Sequence, residues 1–311
     1  MKKYFVLIIF SILVLIAAPF FGVKNFGILD LKDSQNFQIF FELRVPRVIV
    51  AFLVGAILSV CGVVYQLIFK NPLASPYTLG ISSGAALGAS ISIIFGVSNP
   101  LITGLICTFL VAWLVYRLSV LIRDNISNQI LLSGVMISFF CSGIILLLQY
   151  IANFSEVFRI TRWLMGNIET FDYSSIILLI CSLTVLIFFI ALKHRELSLI
   201  SIDSEYAVTK GVPIQYIFKG IFVVTSFCIA TVVTLCGPIG FVGIAVPYIA
   251  KKIVGFSIIN ITIFSLFLGG SLLVMCDALS RILASPAEIP VGVITAVLAS
   301  PIVLMILIKK D

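Results

Sequence analysis

The chain has 311 residues, of which 61% are apolar and only 11% are charged, and its mean hydropathy is +1.25. A water-soluble protein of this length cannot bury so much apolar surface, so the composition excludes a soluble domain and predicts an all-α protein embedded in the lipid bilayer. The net charge is +7, and membrane proteins typically carry an excess of Lys and Arg in their cytoplasmic loops. It therefore does not indicate a nucleic-acid partner.

Stretches without a charged residue mark the predicted membrane spans, because a helix needs about 20 residues to cross a bilayer. They are 4–23, 48–69, 71–116, 125–155, 173–192, 220–250, 253–276 and 289–308. Gly96–Pro100 cuts the third stretch in two, and Gly237–Gly240 cuts the sixth. The sequence thus predicts about ten spans in a single domain, 1–311.

The cut at Gly237–Gly240 can be tested against the positions of Lys and Arg. With ten spans and a cytoplasmic N-terminus, 13 of the 20 basic residues lie inside and 7 outside. If Gly237–Gly240 were only a kink, the later spans would invert and leave 10 on each side. Basic residues favour the cytoplasmic side, so the count predicts a turn, ten spans and both termini in the cytoplasm.

The segment Asn71–Pro76 lies at the cytoplasmic end of the second predicted span. Ser75 is predicted to cap a helix whose first residue is Pro76. On that helix three glycines fall nearly on one face: Gly80, Gly84 and Gly88. Such a face permits close helix packing, and a lining of exposed backbone for a bulky substrate is the alternative. Ser82 and Ser83 are weaker candidates for such a lining.

The second cut raises the same choice between packing and pathway. Its candidate residues are Gly237, Pro238, Gly240 and Gly243. Spans that Gly and Pro interrupt often mark the working parts of transporters. We therefore keep these residues as candidates for either role.

The residues that several classes of protein need for their function are missing from this sequence. It has no phosphate-binding G-x-x-x-x-G-K-[ST] loop and only one histidine, His194, so we expect no ATP site, no metal site, no cofactor and no enzyme activity of its own. An ion-coupled secondary transporter usually holds a carboxylate near the bilayer midplane. Asp277 is the only deep candidate, and Arg281 follows it at helical spacing to form an ion pair. Energy from a partner protein is favoured, and the secondary transporter is the alternative.

The longest predicted cytoplasmic segment is 193–213. Asp203 can cap a short helix, Glu205 suits its positive end and Lys210 its negative end, and Gly211 ends it. Two turns of isolated helix are unstable in water, so this helix needs a surface on which to dock. A partner protein and the lipid headgroups are both open at this point.

Five separated motifs together resemble one family. They are Leu43–Arg47, Asn71–Ala74 with Leu79–Ala86, Gly237–Gly243, Val246–Pro247 and Pro286–Gly292. In order and spacing they are similar to the FecCD-type permeases, the membrane subunits of bacterial ABC importers for ferric siderophores, haem and corrinoids. The resemblance covers nearly the whole chain. It implies a type II ABC importer permease in the bacterial inner membrane.

The resemblance also implies partners and the residues that meet them. The partners are a second permease, as a homodimer or paired heterodimer, two cytoplasmic ABC ATPase subunits, and a substrate-binding protein outside. Five residues would form the ATPase-coupling helix: Asp203, Glu205, Tyr206, Ala207 and Gly211. Arg44, Arg47 and Arg281 would receive acidic residues of the binding protein, because guanidinium groups pair with carboxylates. Anchoring of these arginines to lipid phosphates is the alternative.

Overall fold

The computed structural model describes residues 2–22, 27–97, 99–121, 126–168, 172–284 and 287–308, and every regular element within these ranges is a helix. The main helices are α1 (Lys2–Ala17), α2 (Val45–Ile68), α3 (Ile81–Phe95), α4 (Pro100–Leu121), α5 (Ile126–Ile151), α6 (Phe154–Leu164), α7 (Tyr173–Ile202), α8 (Ser204–Thr209), α9 (Ile214–Cys236), α10 (Val242–Val254), α11 (Ile258–Leu283) and α12 (Val291–Ile308). Short helical turns at Ala18–Phe20, Ile28–Lys32, Ser34–Gln38 and Ile39–Arg44 connect α1 to α2.

Each of the ten predicted spans corresponds to a helix in the structure. Within the described residues, seven helices are long and apolar enough to cross a membrane: α1, α2 with the turns before it, α4, α5, α7, α9 and α11. The described apolar parts of α3 and α12 are shorter. α10 has only 13 residues, which rise about 20 Å and fall short of the ~30 Å hydrocarbon core.

The chain reverses direction between α9 and α10, as the charge count predicts. Lys3 Nζ donates to the Ile253 carbonyl at 2.9 Å, so the end of α10 lies beside the start of α1. Lys70 Nζ donates to the Ile202 carbonyl at 3.0 Å, which places the end of α2 beside α8 and the start of α9. One groove is lined by both Lys70 and Lys251, so both of these sites lie at the same end of the bundle. The turn at Gly237–Gly240 is confirmed.

Helix α2 is the buried axis of the bundle. A Cβ atom at Gly55 would collide with the carbonyl oxygen of Gly269 in α11, and one at Gly62 with that of Gly243 in α10. Small residues let helix backbones approach closely in a membrane, where van der Waals packing drives association. These two crossings fix α2 against α11 towards the outer side and against α10 towards the cytoplasm.

Helix α3 begins at Ile81, so the prediction of a start at Pro76 is wrong. Ser75 Oγ accepts a hydrogen bond from the Thr78 amide at 3.2 Å and stabilises a turn rather than a helix. Gly80 then adopts a left-handed conformation, φ +75°, which separates this turn from α3. Glycine allows that conformation without steric cost.

The structure differs from the sequence interpretation around α6 and α7. The predicted span 125–155 ends earlier, at Ile151, and a separate helix that was not predicted, α6, begins at Phe154. At its start the Asn153 amide donates to Glu156 Oε2 at 3.0 Å. Helix α7 continues to Ile202, so a predicted loop from 193 is wrong over its first ten residues. Its 30 residues rise about 45 Å and exceed the hydrocarbon core, so the end of α7 projects into the cytoplasm.

Candidate functional site

The outer ends of α2 and α11 are joined by a group of charges, three of them buried and Glu288 exposed, which we call the outer ion cluster: Arg47, Asp277, Arg281 and Glu288. Arg47 Nε lies 2.9 Å from Asp277 Oδ1, and Arg281 Nη2 lies 3.2 Å from Asp277 Oδ2. Arg47 Nη1 also contacts Glu288 Oε2 at 2.8 Å. Asp277 is fully buried. Two cations therefore balance two anions, which makes the burial of these charges tolerable.

Arginines also bind the chain just after α1. Arg44 Nη1 donates to the Pro19 carbonyl at 3.0 Å, and Arg281 donates from Nη1 to the Phe21 carbonyl at 2.9 Å and from Nη2 to the Ala18 carbonyl at 3.3 Å. The last carbonyl groups of a helix lack partners within the helix and carry partial negative charge, which cations stabilise. The arginines thus link α1 to α2 and α11.

This geometry changes the interpretation of the predicted docking residues. Arg47 is 9% and Arg281 3% exposed, so both lie inside the protein with internal partners rather than on a surface. Only Arg44 is partly exposed. Docking of a binding protein at Arg44, Arg47 and Arg281 stays a prediction, and at Arg47 and Arg281 it requires their internal ion pairs to open. Sequence reasoning missed Glu288, although it lies within the motif Pro286–Gly292.

At the cytoplasmic end, Asp203 caps α8 as predicted. Its Oδ1 accepts a hydrogen bond from the Tyr206 amide at 2.9 Å. This hydrogen bond from the Tyr206 backbone lowers the pKa of the Asp203 carboxyl below its usual value of 3.8, because the N–H group stabilises the charged form. The carboxylate is therefore ionised throughout the physiological pH range.

The other end of α8 closes with two backbone hydrogen bonds around a left-handed glycine. Gly211, with φ +80°, donates to the Val208 carbonyl at 2.9 Å, and Val212 donates to the Ala207 carbonyl at 3.0 Å. This pair of bonds is the Schellman motif, which stops a helix and satisfies its last carbonyl groups. The predicted stop at Gly211 is thus explained by a defined backbone geometry.

Helix α8 presents one face to its own chain and the other to the cytoplasm. Ala207 is fully buried, so it anchors α8 to its own chain, and its part in coupling stays a prediction. Tyr206 is 48% exposed, and Glu205 and Lys210 are exposed beside it. Lys210 Nζ lies 5.4 Å from the centre of the Tyr206 ring. The exposed face therefore combines an aromatic ring with charges of both signs.

The interruption between α9 and α10 forms part of a backbone junction, made by 163–168, 236–241 and 291–292. The Asn167 amide donates to the Cys236 carbonyl at 2.8 Å, and the Gly292 amide donates to the Gly166 carbonyl at 3.0 Å. A Cβ atom at Gly237, where φ is +70°, would collide with the Trp163 carbonyl. Hydrogen bonds between segments satisfy backbone that no helix pairs, as a membrane requires.

The remaining candidates of this region differ in their surroundings. The Pro238 carbonyl lies 2.5 Å from where a Cβ of Gly166 would be, and the backbone of Gly243 packs against α2. Gly240 has no atom within 4 Å of a Cβ position. Phe241 has φ +66°, a strained conformation for a bulky residue that the sequence did not predict. A pathway role for any of them remains a prediction.

The glycine face of α3 packs against two helices of the same chain. A Cβ atom at Gly84 would lie 2.9 Å from the Cys107 carbonyl of α4, and one at Gly88 would collide with Thr103 of α4. One at Gly80 would lie 2.7 Å from the Gly134 carbonyl of α5. This geometry favours helix packing for these glycines. Ser82 is fully buried beside them and Ser83 half-buried, and their pathway role stays a prediction.

Comparisons with known proteins give a family across nearly the whole chain. Residues 5–309 match the model of the FecCD transport family. A Helicobacter pylori protein named "Probable iron chelatin transport system permease protein" is 30% identical over 93% of this chain and 88% of its own length. The vitamin B12 import system permease protein BtuC of Klebsiella pneumoniae is 31% identical over 89% of this chain and 85% of its own length.

A solved structure has the same fold. It is described as a metal-chelate type ABC transporter in an inward-facing conformation, and it superposes with a TM-score of 0.91 at 26% identity, over 100% of this chain and 99% of that one. The positions of the helices, and not only separate motifs, therefore agree. The chain belongs to the FecCD transport family, as a permease of ABC importers in the bacterial inner membrane.

Proposed function

We propose that this chain is the route by which an iron complex (a ferric siderophore or haem) or a corrinoid enters the cytoplasm, and that separate ATPase subunits drive the transport by binding α8. The observation that carries the proposal is the build of α8. It is capped at both ends, anchored through Ala207 and exposed along its cytoplasmic face. A short helix that its own chain already holds in shape is suited to transmit a movement of a cytoplasmic partner.

The contacts around α8 connect a movement of this helix to the membrane-spanning helices. Helix α8 connects α7 and α9 directly, and Lys70 bonds to the Ile202 carbonyl at the end of α7. Closure of an ATPase dimer would move α8, and with it the turn between α2 and α3. Because α2 is packed along its length, a displacement at its cytoplasmic end tilts the helix rather than bending it.

An ion-coupled secondary transporter, the alternative function, finds less support. Within the described residues, Asp277 is the one carboxylate that is fully buried, and it contacts both Arg47 and Arg281. A coupling carboxylate must be open to the ion that it binds and releases, whereas both oxygens of Asp277 face arginines inside the protein. Coupling to ATP in a partner agrees better with this arrangement.

The assembly we propose contains two permease chains, two ATPase subunits and a binding protein on the outer side. We further propose that Arg44 meets an acidic residue of the binding protein. Replacement by Ala should weaken docking, since a guanidinium–carboxylate pair is lost. Lys32→Ala, which removes an exposed charge from the same outer side, is the matched control. Equal docking affinity of the two variants, measured by surface plasmon resonance, would refute a role for Arg44.

Transport in proteoliposomes tests the proposed function. The chain is reconstituted with a candidate ABC ATPase and a candidate binding protein from the same organism, and uptake of labelled ferric siderophore, haem and cobalamin is measured. We expect uptake of one of them that requires ATP and resists a protonophore. Uptake by the chain alone, abolished by the protonophore, would instead establish the secondary transporter. Uptake of none of the three under ATP would overturn the proposed substrate class.

A further inference from the structure

A groove lies between α4 and α9 near their cytoplasmic ends. It has a volume of about 500 Å³, and its lining includes Phe109, Trp113, Arg117, Lys219 and Val223. Trp113 is 57% and Val223 56% exposed, and both lie on helices long and apolar enough to cross a membrane. The part of the groove farther from the cytoplasm is apolar, and its cytoplasmic end carries the positive charges of Arg117 and Lys219.

Aromatic rings hold both cations in place. The Arg117 guanidinium lies 5.7 Å from the centre of the Trp113 ring. Lys219 Nζ lies 5.8 Å and 5.9 Å from the ring centres of Tyr116 and Tyr216. In the part of the chain that the structure describes, neither cation forms an ion pair with a carboxylate. Their charge is therefore available to an anion that approaches along the groove.

The depth of these groups matches the inner boundary of a bilayer. Lys219 stands in the second turn of α9, which starts directly after the cytoplasmic helix α8. Trp113 precedes Arg117 by four residues, so its Cα lies about 6 Å deeper along α4. Tryptophan favours the interface between headgroups and acyl chains, and basic residues favour the headgroups of the cytoplasmic leaflet, which carries anionic lipid.

We propose that this groove binds an anionic phospholipid of the inner leaflet. Arg117 and Lys219 would bind its phosphate, and an acyl chain would lie along Phe109, Trp113 and Val223. The charge of the groove is complementary to that headgroup, and its apolar part is continuous with the membrane. A free anion would leave the apolar part uncovered, which distinguishes the two ligands.

Lipid retention tests the proposal. Native mass spectrometry of the purified protein, titrated with phosphatidylglycerol or phosphatidylcholine, reports bound lipid. Because each cation near an anionic surface contributes about fivefold in affinity, Arg117→Gln with Lys219→Gln should weaken phosphatidylglycerol binding roughly 30-fold and leave phosphatidylcholine unchanged. The control is Arg195→Gln with Lys210→Gln. It also removes one exposed Arg and one Lys that lies over a tyrosine ring, on the same side of the membrane.

Tryptophan fluorescence locates the lipid, because the chain contains only Trp113 and Trp163. In a Trp163→Phe variant, brominated phosphatidylglycerol should quench Trp113 at a lower mole fraction than brominated phosphatidylcholine. The double Gln variant of the groove should remove that difference. This measurement needs only a folded protein, and so it remains decisive if a groove variant gives too little material for mass spectrometry.

Three results would overturn the proposal. The first is equal retention of phosphatidylglycerol by the groove variant and its control. The second is quenching by both brominated lipids at the same mole fraction. The third is protection against thermal unfolding by inorganic phosphate equal to that by phosphatidylglycerol, which would make the groove a site for a free anion. The first result, accompanied by loss of ATPase assembly, would assign the two cations to the partner protein.

Discussion

The outer ion cluster and α8 use charged residues in opposite ways at the two ends of the bundle. In the cluster, Asp277 and the guanidinium groups around it lie inside the protein and bind one another. On α8, Glu205 and Lys210 face the cytoplasm, and the Asp203 side chain and a backbone cap at Gly211 hold the two ends of the helix. Buried charges resist separation because each would lose its partner, whereas exposed charges are free to meet another protein. The outer end is therefore built for rigidity and the inner end for contact.

The largest expected effect comes from opening the cluster. Asp277→Ala should destabilise the protein by about 3–5 kcal/mol, because it leaves Arg47 and Arg281 buried side by side without their shared anion. Thermal unfolding in detergent, followed by circular dichroism, measures the change. The matched control is Glu288→Gln, since the Glu288 side chain is 35% exposed and water can replace it at Arg47.

The control should lower stability by less than about 1 kcal/mol, the range of exposed ion pairs. Equal unfolding temperatures for Asp277→Ala and Glu288→Gln would contradict the view that the cluster fixes the outer end. If Asp277→Ala kept its stability but no longer docked the binding protein, the arginines would act in docking, as the sequence suggests.

The next largest effect is expected at the backbone junction. Gly237→Ala should cost about 1–3 kcal/mol, since the residue has φ +70° and its new Cβ would collide with the Trp163 carbonyl. Gly240→Ala is an internal control three residues away, with no atom near the new methyl group. The same unfolding assay compares them. A loss at Gly240 as large as that at Gly237 would show that the junction is not what makes this turn sensitive.

The sequence predicts the helical class, the turn at Gly237 and the caps of α8, because each depends on local chemistry or on a charge count. The ion pair of Asp277 with Arg281 also follows from their spacing on one helix. The contacts of Arg47 do not, because its partners lie 230 and 241 residues away in the sequence. Pairing over such separations depends on the packing of α2 against α11, which no local pattern encodes.

Helix α6 shows what local chemistry could have added. Asn153 and Glu156 have the spacing of a capping box, and an amphipathic run follows them, which together predict a helix start. Without α6 the role of Gly237 could not be predicted, because the carbonyl that excludes a side chain there belongs to Trp163. The start of α3 was also missed, because Gly80 has the same four-residue spacing as Gly84 and Gly88 and so fits a helix. In the structure Gly80 is left-handed and separates the preceding turn from α3.

At the inner end, Gly211→Ala should cost less stability than the substitutions above and affect transport more. The residue is exposed with φ +80° and has open space around it, so only the left-handed conformation opposes a methyl group, at about 1–2 kcal/mol. The loss is confined to the cap of α8. We expect reduced uptake with continued ATP hydrolysis in the reconstituted transporter. Thr209→Ala leaves this cap intact and should preserve uptake, whereas equal uptake by both variants would argue against coupling through α8.

The smallest effect is expected at the other cap of α8. The Tyr206 amide holds the pKa of Asp203 below its usual value, so the carboxylate stabilises α8 fully above about pH 4 and loses this contribution only as the pH falls through the lowered pKa. Hydrogen exchange of the Tyr206 amide, corrected for its intrinsic pH dependence, should therefore show constant protection from pH 8 to pH 5. Asp203→Ala should reduce the protection at every pH in that range, and Asp203→Asn should reduce it less, because the amide oxygen still accepts the hydrogen bond. A loss of protection between pH 8 and pH 5 in the unaltered protein would mean that a group other than Asp203 controls this end of α8. The comparison between an inner helix held by its own caps and an outer end held by ion pairs would then fail.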